Sequence, residues 1–265
     1  MVTTSWLRQT SDKPLFLDML WNQPENTRQA GRLLIVGGNT QSFSAVSTAY
    51  GHARQAGVGS IRIIVPDSLA RVVAKIFPEA EFAPSTPSGS FARSALATIL
   101  DASEWADGIL LAGGFGKNSE TAILLESLVK KQLPQLTMVG DSLDYFLSIG
   151  NQLTDRPQTT IVAEVSQLQK LLAHKALIKH SMDLIQLISS LENIDSAAAV
   201  VTYSSGQAIV LANRRVSTTE AKNDLLKIAS FSVVWRLQQP KLPFEALSTA
   251  IYCSGQSSST FESPT

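Results

Sequence analysis

The sequence predicts an α/β fold of three layers: a mainly parallel central sheet, helices on both of its faces, and an antiparallel hairpin at one edge. Three observations carry this. Short apolar runs of strand length alternate with longer amphipathic stretches, the pattern of parallel strands joined by helical crossovers. The strand-like runs are buried in character and end in glycine or proline, as strands covered on both faces do. Late in the chain the alternation stops, and two strand-like runs, 197–203 and 207–212, flank the short turn Ser204-Ser205-Gly206, which reads as a hairpin.

Taken in order, Arg32 to Gly38 is a buried strand ended by glycines, and 44–56 is a helix with Val46, Ala49, Ala53 and Ala56 at helical spacing. Ser60 to Val65 is the next strand, stopped by Pro66. A helix follows over 68–77, with Ser68 as its N-cap. A loop rich in Pro, Ser and Thr (84–90) leads to a helix over 91–105. Gly108 to Ala112 is a strand opening into Gly113-Gly114-Phe115-Gly116, and 119–131 is a helix. Strands at 136–139 and 159–163, helices at 165–173 and 177–191, the hairpin, and closing helices near 225–237 and 244–253 complete the reading. No composition break or internal repeat divides the chain, so one domain over residues 1–255 is expected, followed by a disordered tail of small polar residues from 256 to 265.

The chain has 265 residues, 44% hydrophobic, with 22 Lys+Arg against 22 Asp+Glu. That length can bury a sizeable core without staples. The charge balance argues against a nucleic-acid or polybasic membrane partner. One cysteine, Cys253, excludes an intrachain disulfide framework, zinc knuckle or iron–sulfur cluster. It is read as a buried thiol rather than a nucleophile, because no base is placed near it by sequence. The three histidines, His52, His174 and His180, fall on or beside predicted helices and are read as surface residues. No apolar run reaches the ~18–20 residues of a membrane helix, and no secretory leader is visible at the start, so a cytoplasmic protein is expected. Trp6, Trp21, Trp105 and Trp235 serve either packing or contact.

Ligands of open α/β sheets bind beyond the carboxyl ends of the strands, where Gly37-Gly38-Asn39 and Gly113-Gly114-Phe115-Gly116 both stand. Such glycines let backbone amides approach a phosphate, or they simply make turns. Asp141, two residues past a strand, either holds a magnesium-bound phosphate or a substrate hydroxyl, or caps a helix over 143–149. Asp224, ahead of the helix near 225–237, either takes a proton from a hydroxyl beside a phosphate or caps that helix. Ser217-Thr218-Thr219-Glu220 just upstream matches a capping box.

Together these residues resemble the ribokinase-like superfamily, most closely the NAD(P)H-hydrate dehydratases, from about Leu15 to Gly255. Residues 31–39 look like the family's first strand and its Gly-Gly-Ser end. Ala45 and Gln55-Ala56-Gly57-Val58-Gly59 fall where the family has the Ala of Tyr-Thr-Gly-Ala and its Arg-Ala-Gly-Ala-Gly. Residues 110–117 are similar to Val-Ile-Gly-Pro-Gly-Leu-Gly-Arg, with Gly114 and Gly116 kept. Asp141-Ser142-Leu143 resembles the end of Asp-Ala-Asp-Ala-Leu, and 243–255 resembles the last helix with its closing glycine.

The resemblance implies a ribokinase-like fold, self-association, and ADP- or ATP-driven removal of water from a hydrated nicotinamide cofactor. It implies ATP or ADP with Mg2+ against Gly114, Gly116, Gly206, Lys222 and Asn223, with Asp224 as the catalytic carboxylate. Asn39, Ser44, Ala45, Asp141 and Glu164 would line the substrate side. No protein metal site is implied. The departures gather where the chemistry belongs. The family's Gly-Ser-Gly-Asp is Ala221-Lys222-Asn223-Asp224 here, its Thr-Pro-His is Val162-Ala163-Glu164, and its Lys-Gly-Ala-Gly is Tyr203-Ser204-Ser205-Gly206. The Gly of Tyr-Thr-Gly-Ala is Ser44, the first Asp of Asp-Ala-Asp is Val139, and the Asn-Pro-Gly-rich segment is 213–217. Keeping a left-handed loop at 221–223 without glycine costs about 1–2 kcal/mol per residue. Losing one oxyanion-type donor costs roughly 2.7–4 kcal/mol in the transition state. Lys222 either compensates as a point charge or faces water. A non-catalytic binding or assembly module, and a small-molecule kinase, are the rival expectations.

Overall fold

The computed structural model describes residues 6–256; the first five residues and the expected tail beyond Gln256 lie outside the described residues. Ten strands form one sheet: β1 (Trp6–Gln9), β2 (Arg32–Gly37), β3 (Ser60–Pro66), β4 (Glu81–Ala83), β5 (Gly108–Gly113), β6 (Gln135–Val139), β7 (Thr159–Ala163), β8 (Ala199–Ser204), β9 (Gln207–Ala212) and β10 (Arg215–Glu220). Their spatial order is β1-β10-β9-β8-β7-β6-β5-β2-β3-β4. From β8 through β4 every pairing is parallel, and the antiparallel pairings β8–β9 and β9–β10 gather at the other side, where β1 returns parallel to β10.

The helices are α1 (Leu17–Trp21), α2 (Ser44–Gln55), α3 (Ala70–Ile76), α4 (Ala95–Trp105), α5 (Ser119–Val129), α6 (Asn151–Thr154), α7 (Val165–Leu171), α8 (Leu184–Glu192), α9 (Leu225–Gln238) and α10 (Pro243–Gly255). One core, on the sheet face bearing Leu34, Ile109 and Ile161, takes α4, α5, α7 and α8. The other, bearing Leu33, Leu110 and Val162, takes α2, α3, α9 and α10. Every residue from Ile228 to Arg236 is buried. A helix buried all round needs a cover on each side: α9 lies against the sheet, while α1 and α10 close its outer face through Met19, Phe231, Trp235 and Ala250.

Several sequence expectations are corrected. Ser217-Thr218-Thr219-Glu220 is no capping box; it is most of β10, with Ser217 to Thr219 buried and Trp6 Nε1 donating to Thr218 Oγ1 at 3.1 Å. Small hydroxyl side chains can be buried in a strand when a neighbour satisfies them, so polarity hid this element. Both turns of the β8–β9–β10 meander place two successive residues at positive φ, Ser205-Gly206 and Asn213-Arg214, the geometry of tight hairpins. Ser68 caps nothing: 67–69 is a 3-10 turn, and Ser68 Oγ donates to Gly89 O at 3.1 Å. The helix expected from 177 begins at Leu184, where Asp183 and Gln186 form a reciprocal capping box. The helix expected from 91 begins at Ala95; Phe91 is instead buried, and its carbonyl accepts from Thr121 Oγ1. Among the described residues no helix is long and apolar enough to cross a membrane.

Candidate functional site

The carboxyl ends of β5, β6 and β7 and the N-terminal turns of α2, α7 and α9 line a cavity of about 580 Å³. Of the residues the sequence singles out, Ala45, Gly114, Asp141 and Glu164 all line it. The β2 and β5 ends meet closely. Gly38 N donates to Gly113 O at 3.0 Å, and a Cβ at Gly37 would stand 2.4 Å from that oxygen. Gly114 holds φ at +76°, a conformation glycine adopts without a Cβ penalty.

Asn39 and Ser44 do not reach the cavity. The Asn39 amide donates to Gly114 O at 2.8 Å and its oxygen accepts from Gln41 N and Ser42 N, so the side chain is spent in tying the two glycine turns together. Ser44 Oγ bonds Ser42 Oγ. Asp141 is not the cap of a helix, since 140–142 and 144–146 are 3-10 turns. Its Oδ2 accepts from Gly116 N at 3.0 Å, and its buried Oδ1 has no partner. Gly116 thus sits behind Asp141, with its own carbonyl accepting from Tyr145 Oη. Glu164 caps α7 in a reciprocal box with Gln167.

The first turn of α9 divides this cavity from a second of about 420 Å³. Leu225 and Leu226 line the first, and Asp224 and Lys227 the second, together with Lys222 and Tyr252. Asp224 Oδ1 accepts from Lys227 N at 2.9 Å, so the carboxylate does cap α9. Its other oxygen remains half-exposed, 4.0 Å from His52 Nε2. None of Ala221, Lys222 or Asn223 lies in the left-handed region. The loop has therefore relaxed into ordinary backbone rather than keeping a strained glycine-type turn. Ala221 N donates to Gly206 O at 3.2 Å, which joins the hairpin to this loop, and Asn223 is exposed.

His52, expected at the surface, is partly buried where α2 packs on α9, 4.0 Å from Asp224 Oδ2. Burial pushes the imidazole pKa down, Lys227 adds to that, and Asp224 opposes it. No sequence signal marks this pair, which is far apart along the chain. The other two histidines are exposed as expected, and burial pushes the Cys253 thiol up to about 12, in keeping with an inert packed cysteine. Among the described residues no group of three or more His, Cys, Asp or Glu side chains could hold a metal ion.

No family model matches the chain. The bifunctional NAD(P)H-hydrate repair enzyme Nnr of Methanothermobacter thermautotrophicus is 25% identical over 173 residues, covering 63% of this chain and 32% of that protein; the chain thus spans about a third of that relative's length. A ribokinase-like superfamily protein from Enterococcus faecalis superposes with a TM-score of 0.72 at 16% identity, covering 96% of this chain and 88% of the other. The ADP/ATP-dependent NAD(P)H-hydrate dehydratase of Bacillus subtilis, co-crystallised with ATP and Mg2+, gives a TM-score of 0.60 at 12% identity, covering 94% and 93%. The fold is ribokinase-like.

Proposed function

We propose that the chain is a nucleotide-dependent dehydratase of the NAD(P)H-hydrate type, with nucleotide and hydrated cofactor on the two sides of the α9 N-terminus. The observation that carries this is the place of Asp224: it caps a buried helix whose first turn divides two cavities, it lines the smaller one, and its second carboxylate oxygen, 4.0 Å from His52 Nε2, is not used in the cap. The repair enzyme and the dehydratase similar to this chain support the same reading.

Lys222 and Lys227 fit the smaller cavity to a polyphosphate, supplying point charges where the loop lacks glycine amides. Magnesium would arrive with the phosphates of ATP or ADP and neutralise their charge, since the described side chains form no cage of their own. The larger cavity would take the body of the substrate, walled by Asp141 and Glu164, with its reacting hydroxyl reaching past the first turn of α9 to Asp224 in the smaller one. Asp224 would accept the proton of the reacting hydroxyl as it is phosphorylated, and loss of phosphate would complete the removal of water.

The test is Asp224→Asn in a cofactor-repair assay with ATP or ADP. Asparagine caps helices about as well as aspartate, so the variant keeps the fold and loses the base; turnover should fall on the order of 10²–10⁴-fold. Unchanged turnover removes this reading. A phosphorylated product that persists would identify a small-molecule kinase instead. The relaxed loop at 221–223 favours a second reading, a non-catalytic nucleotide-binding homologue. Its signature is a thermal shift with Mg–ATP and no turnover by the wild-type chain.

A further inference from the structure

A third cavity, about 640 Å³, lies away from the strands' carboxyl ends, beside the loops that lead into β2 and β3. The end of α2, the middle and end of α9 and the last turn of α10 wall it. Its floor is aromatic, formed by Phe231 and Trp235. Its rim is polar, with Asn26, Arg54 and Gln238 among the lining residues and no acidic side chain.

Two groups there are unspent. Trp235 is only 5% exposed, yet its indole N–H makes no hydrogen bond among the described residues. A buried indole N–H normally finds a partner. Trp235 lines the cavity. Arg54 has no ion-pair or hydrogen-bond partner among the described residues and lines the same cavity. An aromatic floor with an idle neutral donor, a cationic rim and no carboxylate describes a receptor for one kind of molecule. The ligand must be flat and apolar enough to lie on Phe231 and Trp235, must offer an acceptor to the indole, and must carry an anion for Arg54.

We propose that this cavity is a second ligand site, distinct from the site at the carboxyl edge, and that it takes a small aromatic carboxylate or sulfonate. The reading does not depend on catalysis at Asp224.

Isothermal titration of the full chain with 2-naphthoate tests it, with 2-naphthylmethanol as the neutral match. Saturable binding of one naphthoate per chain is expected, with affinity at least tenfold above the alcohol. Arg54→Gln should erase that preference. Trp235→Phe keeps an apolar ring and removes the N–H, and should weaken naphthoate about tenfold. Saturating Mg–ADP should not displace the probe. No saturable binding at millimolar naphthoate overturns the proposal, as does equal affinity for acid and alcohol. Displacement by Mg–ADP overturns it too, making the cavity an arm of the nucleotide site. So does binding that emerges only after truncation at Gln256, because the natural occupant is then this chain's own C-terminus.

Discussion

Two strand-to-helix junctions meet at the carboxyl edge, and they solve the same problem differently. After β5, Gly113, Gly114 and Gly116 all adopt positive φ, and the Gly116 amide is given to the Asp141 carboxylate. After β10, the residues ahead of α9 adopt ordinary backbone, and a side chain, Asp224, caps the helix. The first junction is held by close backbone approach, which only glycine permits. The second is held by side chains, with Lys222 and Lys227 supplying the charge at its cavity. Changes at the first should therefore strike stability, and changes at the second should strike chemistry and capping.

The largest effect on stability belongs to Gly37→Ala. The added Cβ meets a backbone oxygen at 2.4 Å, which cannot rotate away. The β2–β5 pairing must shift, and urea unfolding should show a loss of about 2–4 kcal/mol. A loss under about 0.5 kcal/mol, the range of an ordinary surface change, would mean that the close approach is not needed.

At the second junction, Asp224→Ala should cost about 1 kcal/mol of stability through the lost cap, while Asp224→Asn costs almost none. Equal unfolding midpoints for the two variants would show that the cap contributes nothing. This pair separates the structural role of the residue from the chemical one, which the turnover assay reads.

The smallest effect is the pH dependence of His52. Its pKa is lowered in the folded protein, chiefly by burial. In the range between the folded and unfolded values the unfolded chain binds more protons, so stability falls as pH drops through the ordinary histidine value of about 6.5. Part of the stability lost between pH 7.5 and 5.5 should thus vanish in His52→Gln. Identical slopes for variant and wild type would show that burial of the imidazole is thermodynamically silent.

What was legible in the sequence followed from local repetition. Strands such as β2, β5 and β7 are short apolar runs bounded by breakers, and α2 and α5 carry their buried residues at helical spacing. Elements whose burial depends on distant neighbours were not legible. β10 is built of Ser and Thr, and its polarity is tolerable only because Trp6 and Gln9 of β1 and Ser248 of α10 take up its hydroxyls. β4 has only three residues and exists through its pairing with β3.

The same division runs through the site. Gly114 and Asp141 stand out by their place at strand ends, Ala45 and Glu164 by the resemblance, and all four line one cavity. Asn39 stood in the same pattern, but its hydrogen bonds are consumed by the turns around it.

By itself the sequence determined the α/β alternation, the parallel sheet, the late hairpin and the glycine-rich strand ends, because backbone sterics and hydrophobic periodicity act over a few residues. Only the tertiary structure decided which polar groups remain unspent. Asp141 Oδ1 at the carboxyl edge, and Trp235 Nε1 and Arg54 beside the third cavity, are defined by partners they lack among the described residues. A missing partner is a fact about three-dimensional neighbourhood, and no local pattern encodes it.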